Sequence, residues 1–332
     1  MKLLYLDFNN SLIEDYSAFN CNKYGGGRIV AAHLLPHMIS TGHYMEIWAD
    51  NKCFENIPPE LRRYCKSMRF SDREAIGNGK RLEDYGADNF DIVLHHYCGY
   101  YVNTEGLKTI PLYWAVGYNE NINAGTQNII LYNDFQFPRP KHPNPRFFRA
   151  RIGVPLPPFI ERKKHGYAFS CHRQTPIFGS QLSCIIAKAQ KLDYYFAGPL
   201  EQDKSLLDYC DNKTKYLGII SEEEKVCWQS GASMSFFLHS WPTPFNLSAI
   251  TALAYGTPII ASPVGFWPSL VKNGVNGYIV RDMEEMAKAI DCIKNGAISQ
   301  ENCYNSVKHL SADLMVEDYM KIFNQVLNEN LA

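Results

Sequence analysis

Two hydrophobic patterns alternate along the chain: short apolar runs of strand length, and apolar residues recurring at helical spacing between them. Lys2 to Phe8 is the first such run and reads as a buried strand ending in the polar turn Asp7-Phe-Asn-Asn10. The loop that follows closes on Tyr24-Gly-Gly-Gly-Arg28, after which Ile29, Ala32, His33, Leu35 and Pro36 start a helix and Tyr44 to Ala49 forms the next strand. Strand, glycine loop, helix, strand is one βαβ unit. Asp91 to His96, Ile110 to Val116 and Asn128 to Asn133 read as further strands of a parallel sheet, and Glu74 to Tyr85 as a surface helix. A second series starts at Gly166, with strands at Tyr167 to Ser170, Tyr194 to Ala197, Lys215 to Ile219 and Ala232 to Leu238. Helices fit between and after them at Gly179 to Lys191, Ser221 to Ser230 and Met283 to Lys294, and Ser311 to Leu331 is a last amphipathic helix. Ser221 and Glu224 have the spacing of a capping box.

The densest pattern lies at Thr243-Pro-Phe-Asn-Leu-Ser-Ala-Ile-Thr-Ala-Leu-Ala-Tyr-Gly-Thr-Pro-Ile-Ile-Ala-Ser262. Phe245, Ala249, Ala252 and Leu253 share a helical face, and Gly256 with Pro258 stops that helix before the apolar strand Pro258 to Ala261. Gly265 opens a loop and Pro268 suits a first helical turn. The doubled turn signal Asn273-Gly274 and Asn276-Gly277 leads into a short strand, Tyr278 to Val280. Such a succession puts a helix N-terminus and a glycine loop on one side of a sheet, where a phosphate-bearing ligand is held.

Composition narrows the class. A chain of 332 residues has room for two domains, and 46% hydrophobic with 20% charged residues is a folded, not a disordered, composition. A net charge of -1 gives no global attraction to nucleic acid or acidic membrane, so such a partner requires a local patch. Gln136 to Lys164, rich in Pro, Arg and Lys, marks the shift between the two series and reads as a linker. Within it, Arg139 to Arg151 is the candidate surface for lipid headgroups, nucleic acid or an acidic glycan, weighed against a solvated connection. The ten cysteines form no CxxC pair, the N-terminus lacks the apolar run of a signal peptide, and no run reaches membrane-span length. The expectation is a cytoplasmic protein, peripheral if it works at a membrane. No HExxH, P-loop, G-x-S-x-G or zinc-type cluster is present, which leaves metalloprotease, kinase and serine hydrolase chemistry without support.

The residues Pro244, Phe245, Leu247, Ala252, Ala254, Gly256, Thr257, Pro258, Ala261, Gly265, Asn273, Gly274, Asn276 and Gly277 resemble the donor half of the retaining GT-B glycosyltransferases, the group 1 or family 4 type. The resemblance implies an α/β GT-B fold of two Rossmann-like domains facing across a cleft, with the C-terminal helix crossing back. The corresponding boundaries are 1–150 for an acceptor-side domain, 151–310 for the nucleotide-sugar donor domain and 311–332 for the crossover helix. It also implies a donor nucleotide sugar as co-substrate, no obligatory cofactor or metal, and roles for particular residues. Gly25, Gly26 and Gly27 take the place of a loop lying against the donor diphosphate and the acceptor, with Arg28 as an added cation or a solvated helix start. One of His95 and His96, with His96 favoured by strand alternation, takes the place of a histidine touching the donor sugar. Arg173, after the strand Tyr167 to Ser170, takes that of a diphosphate-binding arginine. Thr243, Phe245, Asn246 and Leu247 fall in the sugar-binding stretch and Thr251 at the ribose. Here the chain departs from the family: its two glutamates fall on Thr243 and Thr251, and its lysine on Phe178. A hydroxyl is a shorter, neutral partner, and a lost charged hydrogen bond is worth about 1.5 to 3 kcal/mol.

The reading that follows is sugar transfer from a nucleotide-diphosphate sugar with retention of configuration. Two others stand beside it: transfer to a modified nucleic-acid base, suggested by the basic segment, and a non-catalytic nucleotide-sugar-binding protein, suggested by the substituted anchors.

Overall fold

The computed structural model describes residues 1–7, 27–50, 63–68, 80–96, 102, 104–114, 121–122, 125–134, 136, 138–200 and 204–330. The chain divides into two compact units; Val154–Ser311 makes one, and the described residues before it together with those from Ala312 onward make the other.

In the first unit β1 (Lys2–Asp7) is followed by α1 (Gly27–Ser40), β2 (Tyr44–Asp50), β3 (Cys65–Met68), β4 (Ile92–His96) and β5 (Ile110–Trp114). Next come β6 (Asn121–Ile122), β7 (Asn128–Leu131), β8 (Arg139–Pro140) and β9 (Arg146–Arg149). Seven of these form one sheet in the order β3-β2-β1-β4-β5-β7-β9, every pair parallel, while β6 and β8 pair separately. The apolar run of β1 has Leu3, Leu4, Tyr5 and Leu6 buried on both faces, as a central parallel strand requires. Strand order turns outward in both directions from β1 and β4, which makes their carboxyl ends the switch point of this sheet.

The expected linker is a strand in part. Arg146–Arg149 is the edge strand β9, and its companion basic residues are matched by carboxylates: Arg149 bonds Asp134 at 2.6 Å, and Arg146 bonds Glu329. Arg151 grips Asp318 with Nε and Nη2 at 2.6 Å each, and its backbone N–H adds a third bond at 3.0 Å. Three cations of the proposed anionic-ligand surface are thus already neutralised within the unit, which removes much of the attraction that the composition suggested. The 74–85 helix is a single 3₁₀ turn at Leu82–Tyr85 in its described part.

The second unit contains β10 (Ala168–Cys171), α2 (Ser180–Ala189), β11 (Tyr194–Ala197), β12 (Thr214–Tyr216), α3 (Glu222–Gly231) and β13 (Ser235–Phe237). It continues with α4 (Leu247–Ala254), β14 (Ile259–Ala261), the single turn α5 (Trp267–Leu270), β15 (Gly277–Ile279), α6 (Met283–Lys294) and α7 (Gln300–Val307). The sheets β10-β11-β12 and β13-β14-β15 meet edge to edge. Phe169 N–H donates to the Met234 carbonyl, and the Ser170 hydroxyl fills the ladder by donating to Phe236 O at 3.0 Å and accepting from Phe236 N at 3.3 Å. The layer therefore runs β12-β11-β10-β13-β14-β15, all parallel, with its own switch point between β10 and β13.

The capping box at Ser221 and Glu224 is formed, each side chain taking the other's backbone N–H. Behind the layer, Lys164 donates to the carbonyls of Ser230 and Tyr255 and to the Thr257 hydroxyl, closing the ends of α3 and α4. Its burial lowers the ammonium pKa to about 8. The last helix, α8 (Ala312–Asn330), packs on α1 as part of the first unit.

Candidate functional site

At the β10/β13 switch point the chain brings three loops together: 172–179 after β10, 238–246 after β13 and 262–266 after β14. Two glycines let them approach. A Cβ on Gly179 (φ 73°) would stand 2.1 Å from the Leu238 carbonyl oxygen, and one on Gly265 (φ 58°) 2.7 Å from both Thr243 N and O. None of the three loops carries an Asp or Glu. Arg173 supplies a cation there, exposed and stacked 5.1 Å over the Phe178 ring.

Inside the loops lies a group of rings. His172 and His239 approach edge to face at 5.7 Å, and His239 contacts Phe178 at 4.7 Å and Trp267 at 4.9 Å. Burial holds both imidazoles neutral: His172 is lowered to about 4, and His239 lies well below its ordinary value, with His172 and Arg173 adding to the effect. Several polar atoms of these loops and rings are buried without a hydrogen-bond partner: His172 Nε2, both nitrogens of His239, Thr243 Oγ1, Thr175 Oγ1 and Trp267 Nε1. A buried polar group without a partner costs about 1 to 3 kcal/mol, so their concentration at a sheet switch point makes this the candidate site.

The sequence-predicted residues divide accordingly. Thr243 lies in this group with its hydroxyl unpartnered, and Arg173 at its rim. Asn246 caps α4, its Oδ1 accepting from Ala249 N at 3.0 Å, and Phe245 and Leu247 flank that helix start. Thr251 is buried and donates its hydroxyl proton to the Leu247 carbonyl at 2.9 Å, which leaves its oxygen as an acceptor only. Gly27 opens α1. Gly25, Gly26 and the side chains of Arg28 and His96 lie outside the described residues. His95 is a core residue, 5.2 Å from Tyr113 and 3.4 Å from the Thr126 hydroxyl.

Other parts of the pattern are braces. Thr257 donates to the Gln229 carbonyl at 2.6 Å while receiving Lys164, and Asn276 ties Lys272 N to the Leu270 carbonyl. His172 and His239 are candidate-site residues that the sequence did not single out; their position one residue after β10 and two after β13 is the signal that could have found them. Among the described residues no three His, Cys, Asp or Glu are placed to hold a metal ion, and no helix is long and apolar enough to cross a membrane.

The fold is shared with known proteins. Over 70 residues, 21% of this chain and only 15% of the relative's length, the sequence is 37% identical to the D-inositol 3-phosphate glycosyltransferase of Streptomyces griseus. Sucrose-phosphate synthase of Thermosynechococcus elongatus superposes with a TM-score of 0.72 at 14% identity, covering 99% of this chain and 100% of that one. The Anabaena protein Alr3699/HepE, solved in complex with UDP-glucose, superposes with a TM-score of 0.62 at 13% identity over 100% of this chain and 99% of its own. Residues 176–295 match the model of glycosyl transferases group 1, in a chain with the α/β fold of the GT-B glycosyltransferases.

Proposed function

We propose that this protein transfers a glycosyl group from a nucleotide-diphosphate sugar, with retention of configuration, and that the donor binds at the β10/β13 switch point. The observation that carries the reading is the set of unpartnered buried polar atoms there, at the edge of a carboxylate-free rim that holds Arg173. Such a rim favours a diphosphate, and the N-termini of α2 and α4 add partial positive charge on the same side of the layer. The relative named a glycosyltransferase and the protein of the same fold solved with UDP-glucose support the substrate class.

In this reading residues 151–310 hold the donor and 1–150 serve the acceptor. Arg173 meets the diphosphate, Thr243 to Leu247 the sugar, and Thr251 accepts from a ribose hydroxyl. Gly25 to Gly27, Arg28 and His96 act at the carboxyl edge of their own sheet, on the diphosphate and the sugar. The acceptor is a glycan, a lipid or another hydroxyl-bearing molecule. Titration of the chain with UDP-glucose, UDP-N-acetylglucosamine and GDP-mannose, and with UDP and GDP, tests the reading. At least one nucleotide sugar binds and turns over, and Arg173→Ala weakens its binding and that of the free diphosphate by about 1.5 to 3 kcal/mol. Absence of binding and turnover across the panel, in a folded protein, would overturn it.

A further inference from the structure

His172 and His239 are defined by a tautomer. His172 Nδ1 lies 2.8 Å from the backbone carbonyl oxygen of Arg173. A carbonyl only accepts, so Nδ1 carries the proton and Nε2 of the neutral ring presents a lone pair. That lone pair is buried, and no described group donates to it. His239 is 1% exposed, and neither of its nitrogens is partnered. A neutral imidazole has one donor and one acceptor, so the two rings together present two lone pairs and one N–H among the rings of Phe178, Phe237 and Trp267.

This set selects among the parts of a nucleotide sugar. A phosphate oxygen has no proton to give and would meet the His172 Nε2 lone pair with its own. A hydroxyl donates to one lone pair and accepts from a neighbouring N–H, and adjacent hydroxyls on a sugar ring repeat the pattern at the spacing of neighbouring side chains. Apolar walls with a few placed polar atoms are also the ordinary construction of a small-molecule pocket. The hydroxyl of Thr243, also buried without a partner, can take either role.

Resting on the glycosyltransferase reading above, we propose that His172 and His239 are the residues that recognise hydroxyls of the donor sugar, with His172 Nε2 as an obligatory acceptor. The neutral imidazoles do here what a carboxylate would do, without placing a negative charge beside the diphosphate. Ligand entry requires a side chain to turn, because Nε2 is shut off from solvent. Phe178, in contact with both imidazoles and carrying the Arg173 guanidinium on its face, is the side chain that does so. A phosphate that draws Arg173 away from Phe178 would therefore open the way to the sugar pocket.

The experiment is calorimetric titration of the full chain with the tightest nucleotide sugar of the panel and, separately, with its free nucleoside diphosphate. Wild-type binding to both is measured first; no binding at all would remove the functional reading and this inference together. With wild-type binding in hand, His172→Phe, which keeps a ring in the aromatic group, weakens the nucleotide sugar about tenfold, the effect of one lost hydrogen bond to a buried acceptor. The free diphosphate binds as before. His172→Gln, whose Oε1 reaches the place of Nε2, recovers most of the loss, which a packing role would not produce. His239→Phe gives the same split through the other ring and serves if His172→Phe does not fold. Equal weakening of sugar nucleotide and diphosphate, unchanged affinity in both Phe variants, or a Gln variant as weak as Phe would each overturn the assignment while leaving the donor site standing.

Discussion

At the scale of single residues, neutrality of the imidazoles is bought by burial and has a measurable consequence. The folded pKa of His172 is depressed to about 4 from 6.5, and that of His239 is depressed in the same sense. Between those limits the unfolded chain binds more protons than the folded one, so stability falls as pH drops through 6.5 toward 4. For His172 alone the loss is roughly 3 kcal/mol, at about 1.36 kcal/mol per pH unit. Urea denaturation at a series of pH values is expected to give a shallower fall for His172→Phe than for wild type; parallel profiles would show that the ring is not held neutral. Neither histidine was legible as a site residue in one sequence, because Cys171-His172 and Leu238-His239 carry no spacing that distinguishes a pocket from a core. Arg173 and Thr243 stood out in the sequence through their neighbours. Thr257 and Asn276 fitted the same family pattern, yet their side chains are spent on backbone carbonyls and amides.

At the scale of elements, the sequence spoke most clearly where apolar runs were buried on both faces, as in β1, β11 and β14, and where a helix carried its own cap. Ser221→Ala, which removes the cap of α3 and the partner of Glu224, is expected to cost about 1 kcal/mol in chemical denaturation. Elements whose residues are polar were missed: β3 reads Cys-Lys-Ser-Met, and α7 reads Gln-Glu-Asn-Cys-Tyr-Asn-Ser-Val with only Cys303 and Val307 buried. Both are held by pairing or packing with distant segments, which local pattern does not report. The strand β9 was hidden for another reason. Its arginines look like solvated linker, while their partners, Glu329 and Asp134, lie far off or across a turn. The turn at Gly179 gives a sharper test of an element. Gly179→Ala drives a Cβ into the Leu238 carbonyl in a left-handed conformation, so the loops after β10 and β13 must part. We expect lower thermal stability and lost nucleotide-sugar binding together, and a variant with wild-type melting and affinity would show that this approach is not required.

At the scale of the whole molecule, the chain completes its first unit last. The helix α8 follows Ser311 in sequence but belongs with the N-terminal residues, where it buries Met315, Val316, Tyr319, Ile322, Phe323 and Val326. It is fixed to that unit by Asp318 on Arg151 and by the Tyr319 hydroxyl, 3.3 Å from that of Tyr132. The Arg151 pair holds the Asp318 carboxyl below its usual range, against the desolvation that would raise it. Six apolar side chains at roughly 1.5 to 3 kcal/mol each amount to on the order of 10 kcal/mol, comparable with the net stability of a whole domain, about 5 to 15 kcal/mol. The first unit should therefore fail to fold without this helix, whereas Val154–Ser311 has its own layer, helices and buried core. In a chain ending at Ser311, limited proteolysis is expected to degrade the N-terminal residues and leave a fragment that begins near Val154. Because Arg173, His172 and His239 lie in that fragment, it should still bind a nucleotide that the intact chain binds through Arg173. Sequence pattern shows an amphipathic helix at this place, but the unit it joins is set by contacts more than a hundred residues away, such as the one from Asp318 to Arg151. Uniform digestion of both halves would show that the two units depend on one another for stability.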